Sequence, residues 1–108
     1  MMITTQVQDS ALGLPAARIP VELDCFITGF GWKEAGHGVT NAEGRITEFG
    51  EPVAPGLYRL MFDIAAYQHE AFFPSIAIVF EVRDPSRVLH IPLTISPYGY
   101  SVYRGLPE

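Results

Sequence analysis

Leu89-His90-Ile91-Pro92-Leu93-Thr94-Ile95, the segment Ser96-Pro97-Tyr98-Gly99 and the run Tyr100-Ser101-Val102-Tyr103 decide how this chain folds. Successive side chains on a β-strand point to opposite faces. Leu89, Ile91, Leu93 and Ile95 therefore form one continuous apolar row, which belongs in a core. The other face of the same strand carries His90, Pro92 and Thr94. Pro92 has no N–H to give to a ladder, so it sits at a sheet edge or where pairing is incomplete. Ser96-Pro97-Tyr98-Gly99 has the composition of a turn, and the two runs are candidates for a hairpin. Closed that way, an outer face carries His90, Thr94, Ser101 and Tyr103, with Tyr98 and Tyr100 on the other.

The same period-two alternation runs through the rest of the chain. Ile3, Thr5 and Val7 alternate with Thr4, Gln6 and Gln8, which form a further polar row. Val21, Leu23 and Cys25 alternate with Glu22, Asp24 and Phe26. Tyr58, Leu60 and Phe62 form another such row, as do Ile76, Ile78, Phe80 and Val82. Trp32–Thr40 reads as a weaker strand, broken by Gly36 and Gly38 and ending in the turn Asn41-Ala42-Glu43-Gly44. Nine prolines and ten glycines punctuate these runs. About seven short strands separated by frequent turn signals imply an antiparallel, all-β sandwich. Only Asp63–Glu70 reads as helix, two turns at most, with Asp63 as its N-cap and Pro74 beyond its end.

With 108 residues, one domain over 1–108 is expected. The chain is 48% hydrophobic and 18% charged, which suits a packed core and not disorder. So small a domain has little core to give up to a deep cavity, so a sizeable site is expected to be shallow or shared between subunits. Net charge is −5, and the seven cations, Lys33 and six arginines, are scattered. No nucleic-acid partner is expected, nor a membrane one, since no apolar stretch approaches the ~18 residues of a spanning helix. The amino terminus has neither a basic nor an apolar leader region, so a cytoplasmic location is expected. Cys25 is single and reads as a half-buried, inert thiol. His37, His69 and His90 lie far apart in sequence, so neither a metal nor another cofactor is expected. His69 reads as a surface residue at the helix end, His37 as a loop residue between two glycines, and Trp32 as core or an edge anchor.

The run from Leu89 to Gly105, with Ser96-Pro97-Tyr98-Gly99-Tyr100-Ser101 and Tyr103-Arg104-Gly105 at its centre and end, resembles the closing signature of the transthyretin-like family. Its enzymatic branch is 5-hydroxyisourate hydrolase. Thr4-Thr5-Gln6-Val7-Gln8-Asp9 is similar to the family's opening strand and Ala11-Leu12-Gly13-Leu14-Pro15-Ala16 to the loop after it. Gly38-Val39-Thr40-Asn41-Ala42-Glu43-Gly44-Arg45 is similar to its turn carrying an arginine. Gly56-Leu57-Tyr58-Arg59-Leu60 and Phe72-Phe73-Pro74 follow in the right order. The resemblance implies a β-sandwich of two four-stranded sheets with one short helix. It also implies a homotetramer, a dimer of dimers, with small-molecule sites in a channel at the dimer–dimer interface. In the hydrolases those sites open the ring of 5-hydroxyisourate; in the transport branch the channel binds a hormone and does no chemistry.

By position, the resemblance assigns catalysis to His90 and Arg45, and substrate binding to Gln6, Ser101, Tyr103 and Arg104. Two positions depart from the family: Gln6 stands where the hydrolases have a first-strand histidine, and Leu106 where they have a terminal serine. Amide hydrolysis needs a base for the attacking water and a donor for the oxyanion. An imidazole, with an unperturbed pKa near ~6.5, can be that base, and a guanidinium can serve the anion. Gln6 cannot titrate, but it can orient a water or bind a carbonyl or N–H edge. The leading expectation is a divergent hydrolase acting on 5-hydroxyisourate or a related purine-derived cyclic amide, with His90 as its sole base. The alternatives are a non-catalytic binder of small planar aromatics, which Gln6 and Leu106 favour, and a partner-binding module with a vestigial channel. Read without the resemblance, Arg45 is a solvated turn charge, Tyr103 is interface packing and His90 is an outward-facing strand histidine.

Overall fold

The alternating runs form strands and pack as two layers in the computed structural model, which describes residues 3–50, 52 and 54–105. Leu106, whose loss of a hydroxyl was singled out above, lies outside the described residues, as do Pro107 and Glu108. The strands are β1 (Ile3–Asp9), β2 (Leu14–Pro15), β3 (Pro20–Ile27), β4 (Gly31–Val39), β5 (Arg45–Gly50), β6 (Gly56–Asp63), β7 (Ser75–Val82), β8 (Leu89–Ser96) and β9 (Gly99–Val102). One sheet runs β4-β3-β6-β7 and the other β2-β1-β8-β9, with β5 also paired to β1. β2 and β5 share one side of β1: β2 meets Gln8 and Asp9, β5 meets Ile3 to Gln6. The second sheet therefore has five strands, with β2 and β5 end to end beside β1, and the two-sheet sandwich implied by the resemblance is present.

The expectation of antiparallel neighbours throughout needs one correction. β1 and β8, from opposite ends of the chain, pair in parallel from Ile3↔Leu89 to Asp9↔Ile95. Alternation is the same in both pairing modes, so the sequence pattern carries no direction. The hairpin of β8 and β9 forms as expected, with Ser96↔Gly99 and Thr94↔Ser101 in register.

Ile3, Val7, Ile91, Leu93 and Ile95 from one sheet meet Val21, Leu23, Leu60, Phe62 and Ile76 from the other in a buried core. Thr5 is buried among them, and its hydroxyl donates to the Ile91 carbonyl at 2.6 Å. Gly36 and Gly38 do not break β4. The β3–β4 register shifts by one residue near them. A Cβ on Gly38 would lie 3.1 Å from Ile46 and 3.3 Å from Phe49, so the glycine lets β5 close over the side of the sandwich.

β5 itself was not read from the sequence. Its buried residues, Ile46 and Phe49, are three apart because the β1–β5 register shifts between Ile3 and Thr5, which breaks the period-two signal. The helix expected over Asp63–Glu70 is a single 3-10 turn, Ile64–Ala66. Asp63 does cap it, accepting from the Ala66 N–H at 3.3 Å. Asp63 also pairs with Ser75, and the Ala65 N–H donates to the Pro74 carbonyl at 3.0 Å. The chain between those partners returns too soon for a second turn.

Candidate functional site

The polar residues of β1, β8 and β9 fall on one face of one sheet, and pairing registers arrange them in three rows. The first row crosses Thr4 and His90, and His90 is bridged to Gly105. The second crosses Arg45, Gln6 and Pro92; Tyr103 joins it through its N–H, 3.4 Å from the Pro92 carbonyl. The third crosses Pro15, Gln8, Thr94 and Ser101. Paired strands lie ~4.8 Å apart, and diagonal neighbours on one face are ~7–8 Å apart. Gln6 thus adjoins Arg45 directly and His90 diagonally.

A tight turn delivers Arg45 to this face. The Asn41 Oδ1 accepts from the N–H groups of Glu43 and Arg45, at 2.9 and 3.0 Å. Gly44 then adopts φ +76, and its carbonyl accepts from the Val7 N–H at 2.7 Å. A Cβ at Gly44 would collide with the Val7 carbonyl oxygen. The glycine is what lets the turn lie against β1, and the next residue is thereby placed opposite Gln6. Arg45 is exposed, as a solvated turn charge would be, but it is also the first residue of β5.

His90 is half-buried. Its Nδ1 lies 2.8 Å from the Thr4 Oγ1. On the other flank Gly105 closes against it: the Gly105 N–H donates to the His90 carbonyl at 2.8 Å, and a Cβ there would fall 2.8 Å from the His90 Cδ2. Neither neighbour was given a role from sequence. Thr4 had a signal, its place in the polar row, but only the parallel register shows which β8 residue it meets.

Of the six residues singled out from sequence, Arg45, Gln6, His90 and Ser101 share this face. Arg104 does not fall in these rows. It alternates with Tyr103 and lines a cavity of about 480 Å³ between the edges of the two sheets, floored by Ile78, Phe80, Leu89, Ile91 and Val102. Tyr103, 65% exposed, stands at the rim between that cavity and the outer face. His69 is exposed; His37 is exposed on β4, 2.9 Å from Glu34. Trp32 stacks over the Arg59 guanidinium at 4.4 Å, and Arg59 pairs with the buried Asp24 at 2.9 Å. Cys25 is half-buried against the core. Among the described residues no cluster of three His, Cys, Asp or Glu could hold a metal, and no helix is long and apolar enough to cross a membrane.

The three rows hold one guanidinium, one imidazole, two amides and several hydroxyls, with no carboxylate. Such a face can bind a neutral or anionic planar heterocycle through its carbonyl and N–H edges, and it offers one base.

Known proteins share this chain's fold and much of its sequence. Residues 3–105 match the profile of the HIUase/Transthyretin family. The mouse protein named 5-hydroxyisourate hydrolase is 34% identical over 95% of this chain and 93% of its own. An Arabidopsis thaliana protein named uric acid degradation bifunctional protein TTL is 36% identical over 95% of this chain, which spans about a third (36%) of it. Among solved structures, 5-hydroxyisourate hydrolase of Klebsiella pneumoniae superposes with a TM-score of 0.83 at 31% identity, covering 98% of this chain and all (100%) of that one. Sea bream transthyretin in complex with thyroxine superposes with a TM-score of 0.90 at 24% identity, over 97% of this chain and 95% of that one, a likeness of fold.

Proposed function

The chain belongs to the HIUase/Transthyretin family, and on that premise we propose that it is a hydrolase that opens the ring of 5-hydroxyisourate or a related purine-derived cyclic amide. The observation that carries the reading is the meeting of Arg45, Gln6 and His90 on one sheet face, from three strands distant in sequence. Support comes also from the 33–36% identity, over nearly the whole chain, to proteins named for that activity.

In this reading His90 is the general base and Arg45 the oxyanion donor. Water attacks the ring carbonyl carbon while its proton passes to the imidazole. The guanidinium stabilises the charge that grows on the carbonyl oxygen. Collapse of the tetrahedral intermediate breaks the C–N bond, and the imidazolium returns its proton to the departing ring nitrogen. Gln6, between the two groups, hydrogen-bonds a carbonyl or N–H edge of the ring and holds it in place. Ser101 and Tyr103 border the same surface. Arg104, directed to the inter-sheet cavity, acts on substrate only where a second subunit brings that rim into the site. The enzyme works without the first-strand histidine and terminal serine of its relatives, and its site is completed in a homotetramer at the interface between dimers.

One observation favours a second reading. Gln6 puts a group that cannot titrate at the centre of the face, which suits a non-catalytic binder of small planar aromatics. The decay of freshly generated 5-hydroxyisourate, followed by ultraviolet absorbance, separates the two. A hydrolase accelerates the decay over buffer and loses that acceleration in His90→Asn. A wild type no faster than buffer, on this substrate and on N-substituted analogues, leaves the binder.

A further inference from the structure

The imidazole of His90 is held on both flanks. Nδ1 and Cδ2 are the two ring atoms bonded to Cγ. Nδ1 faces the Thr4 hydroxyl at 2.8 Å. Cδ2 faces Gly105, where even a methyl group would come within 2.8 Å of it. The remaining ring atoms, Cε1 and Nε2, are the two not bonded to Cγ. The parallel register Thr4↔His90 fixes the backbones of the pair, and a β-branched threonine has few rotamers with which to leave.

Resting on the hydrolase reading, we infer that Thr4 is a positioning residue for His90: its hydroxyl oxygen accepts the Nδ1–H of the imidazole and so keeps Nε2 as the lone-pair nitrogen. A neutral imidazole carries one proton, and the partner of one nitrogen sets the state of the other. A hydroxyl can donate or accept, so the distance alone does not choose between the two tautomers. The reaction does. A base that takes a proton at Nε2 must already carry its own at Nδ1, and the imidazolium that results carries both. An accepting Thr4 oxygen suits both states, so the same hydrogen bond persists while the O–H bond of water breaks and the new N–H bond forms at Nε2. Threonine brings no charge. It selects tautomer and orientation, and it does not raise basicity as a carboxylate in that place would.

The test uses Thr4→Val, which keeps the shape and removes the acceptor, and Thr4→Ser, which keeps the acceptor. Long-range 1H–15N correlation spectra of the full chain, above the usual imidazole pKa of ~6.5, report the tautomer of His90, whose signals are identified by their loss in His90→Asn. The wild type and Thr4→Ser should show the proton on Nδ1, and Thr4→Val a shift toward the Nε2–H form. In turnover, Thr4→Val should lower kcat by about 3- to 10-fold, the factor one neutral hydrogen bond sustains, with KM nearly unchanged and Thr4→Ser restoring the rate. A wild-type His90 carrying its proton on Nε2 overturns the inference, and this measurement decides even if Thr4→Val fails to fold. So does a folded Thr4→Val with wild-type tautomer and kcat. A wild type with the Nδ1–H tautomer and no hydrolysis overturns the proposed function and leaves the positioning role standing.

Discussion

Arg45 lies directly opposite Gln6 across the β1–β5 pair, and what holds it there is the residue before it. Gly44 takes a left-handed φ of +76 and rests its carbonyl against the Val7 N–H. Gly44→Ala would add both left-handed strain and a clash with the Val7 carbonyl. The expected loss is about 2–4 kcal/mol of stability, read from urea unfolding at neutral pH. Turnover should fall by more than the unfolded fraction explains, because the guanidinium loses its register with Gln6. A Gly44→Ala protein as stable as wild type would mean that the turn does not depend on its seat against β1.

The second prediction concerns pH. An imidazolium cannot accept a proton, so activity should decline as pH falls through about 6–7 and stay level above that. His90→Asn should remove about 10²-fold or more of the rate. Gln6→His should raise turnover and add a second ionisation to the profile with binding largely kept. Initial rates on fresh 5-hydroxyisourate across pH check all three. A wild type that is active yet indifferent to His90→Asn keeps the enzyme and discards this mechanism.

The sequence carried the two-layer β architecture because residues such as Ile91, Leu93 and Ile95 alternate cleanly with Pro92 and Thr94, and one buried face demands that pattern. It hid β5, where a register shift separates Ile46 from Phe49 by three. It also hid the parallel direction of β1 against β8, since neither propensity nor alternation encodes direction. The candidate site followed the same division. His90, Gln6 and Arg45 were legible one by one, through the polar rows and the family resemblance. Their convergence was implied by that resemblance, but the registers that set it were not legible, because they pair segments far apart in the chain, β1 with β5 and β1 with β8. Thr4 meets His90 only through the parallel β1–β8 pairing, and Gly105 through its own antiparallel bridge.

A third prediction rests on Tyr67, whose hydroxyl donates to the Asp9 Oδ2 at 2.8 Å. The Asp9 Oδ1 accepts from the N–H groups of Ala11 and Leu12, at 2.9 and 3.2 Å, so this carboxylate ties the first loop to the 3-10 turn. Burial, then the hydrogen bond to Asp9 and its charge, push the Tyr67 phenol up to about 12 from the usual 10.0. The folded state therefore holds the phenolic proton more tightly than the unfolded chain. That contribution to stability is complete below pH 10 and is lost as pH rises through about 12. Tyr67→Phe should cost about 1–3 kcal/mol near neutrality and lose less stability than wild type between pH 10 and 12. Parallel slopes for the two proteins over that range, in urea unfolding, would contradict the assignment.

The last prediction is assembly. Phe72, Phe73, Tyr98 and Tyr100 form a chain of ring contacts with centroids 5.0 to 6.4 Å apart, on a surface where Phe72 is 65% and Tyr98 81% exposed. β7 and β9 are edge strands of their sheets, and the apolar cavity between the sheet edges opens beside them. Unpaired edges next to exposed aromatic surface invite pairing with another chain. The rows around Gln6, His90 and Ser101 add a second face that a lone subunit would leave open. The expected homotetramer covers both, one through the edges and the other through the polar rows, with a ligand channel expected where two such faces meet. Light scattering at micromolar concentration should give about four times the 11.9 kDa of one chain. Replacing Phe72 with Asp should weaken the edge contact and lower that mass without unfolding the subunit, since the ring is mostly outside the core. A wild-type mass near that of a single chain would count decisively against the assembly, and against any site that needs two subunits to close.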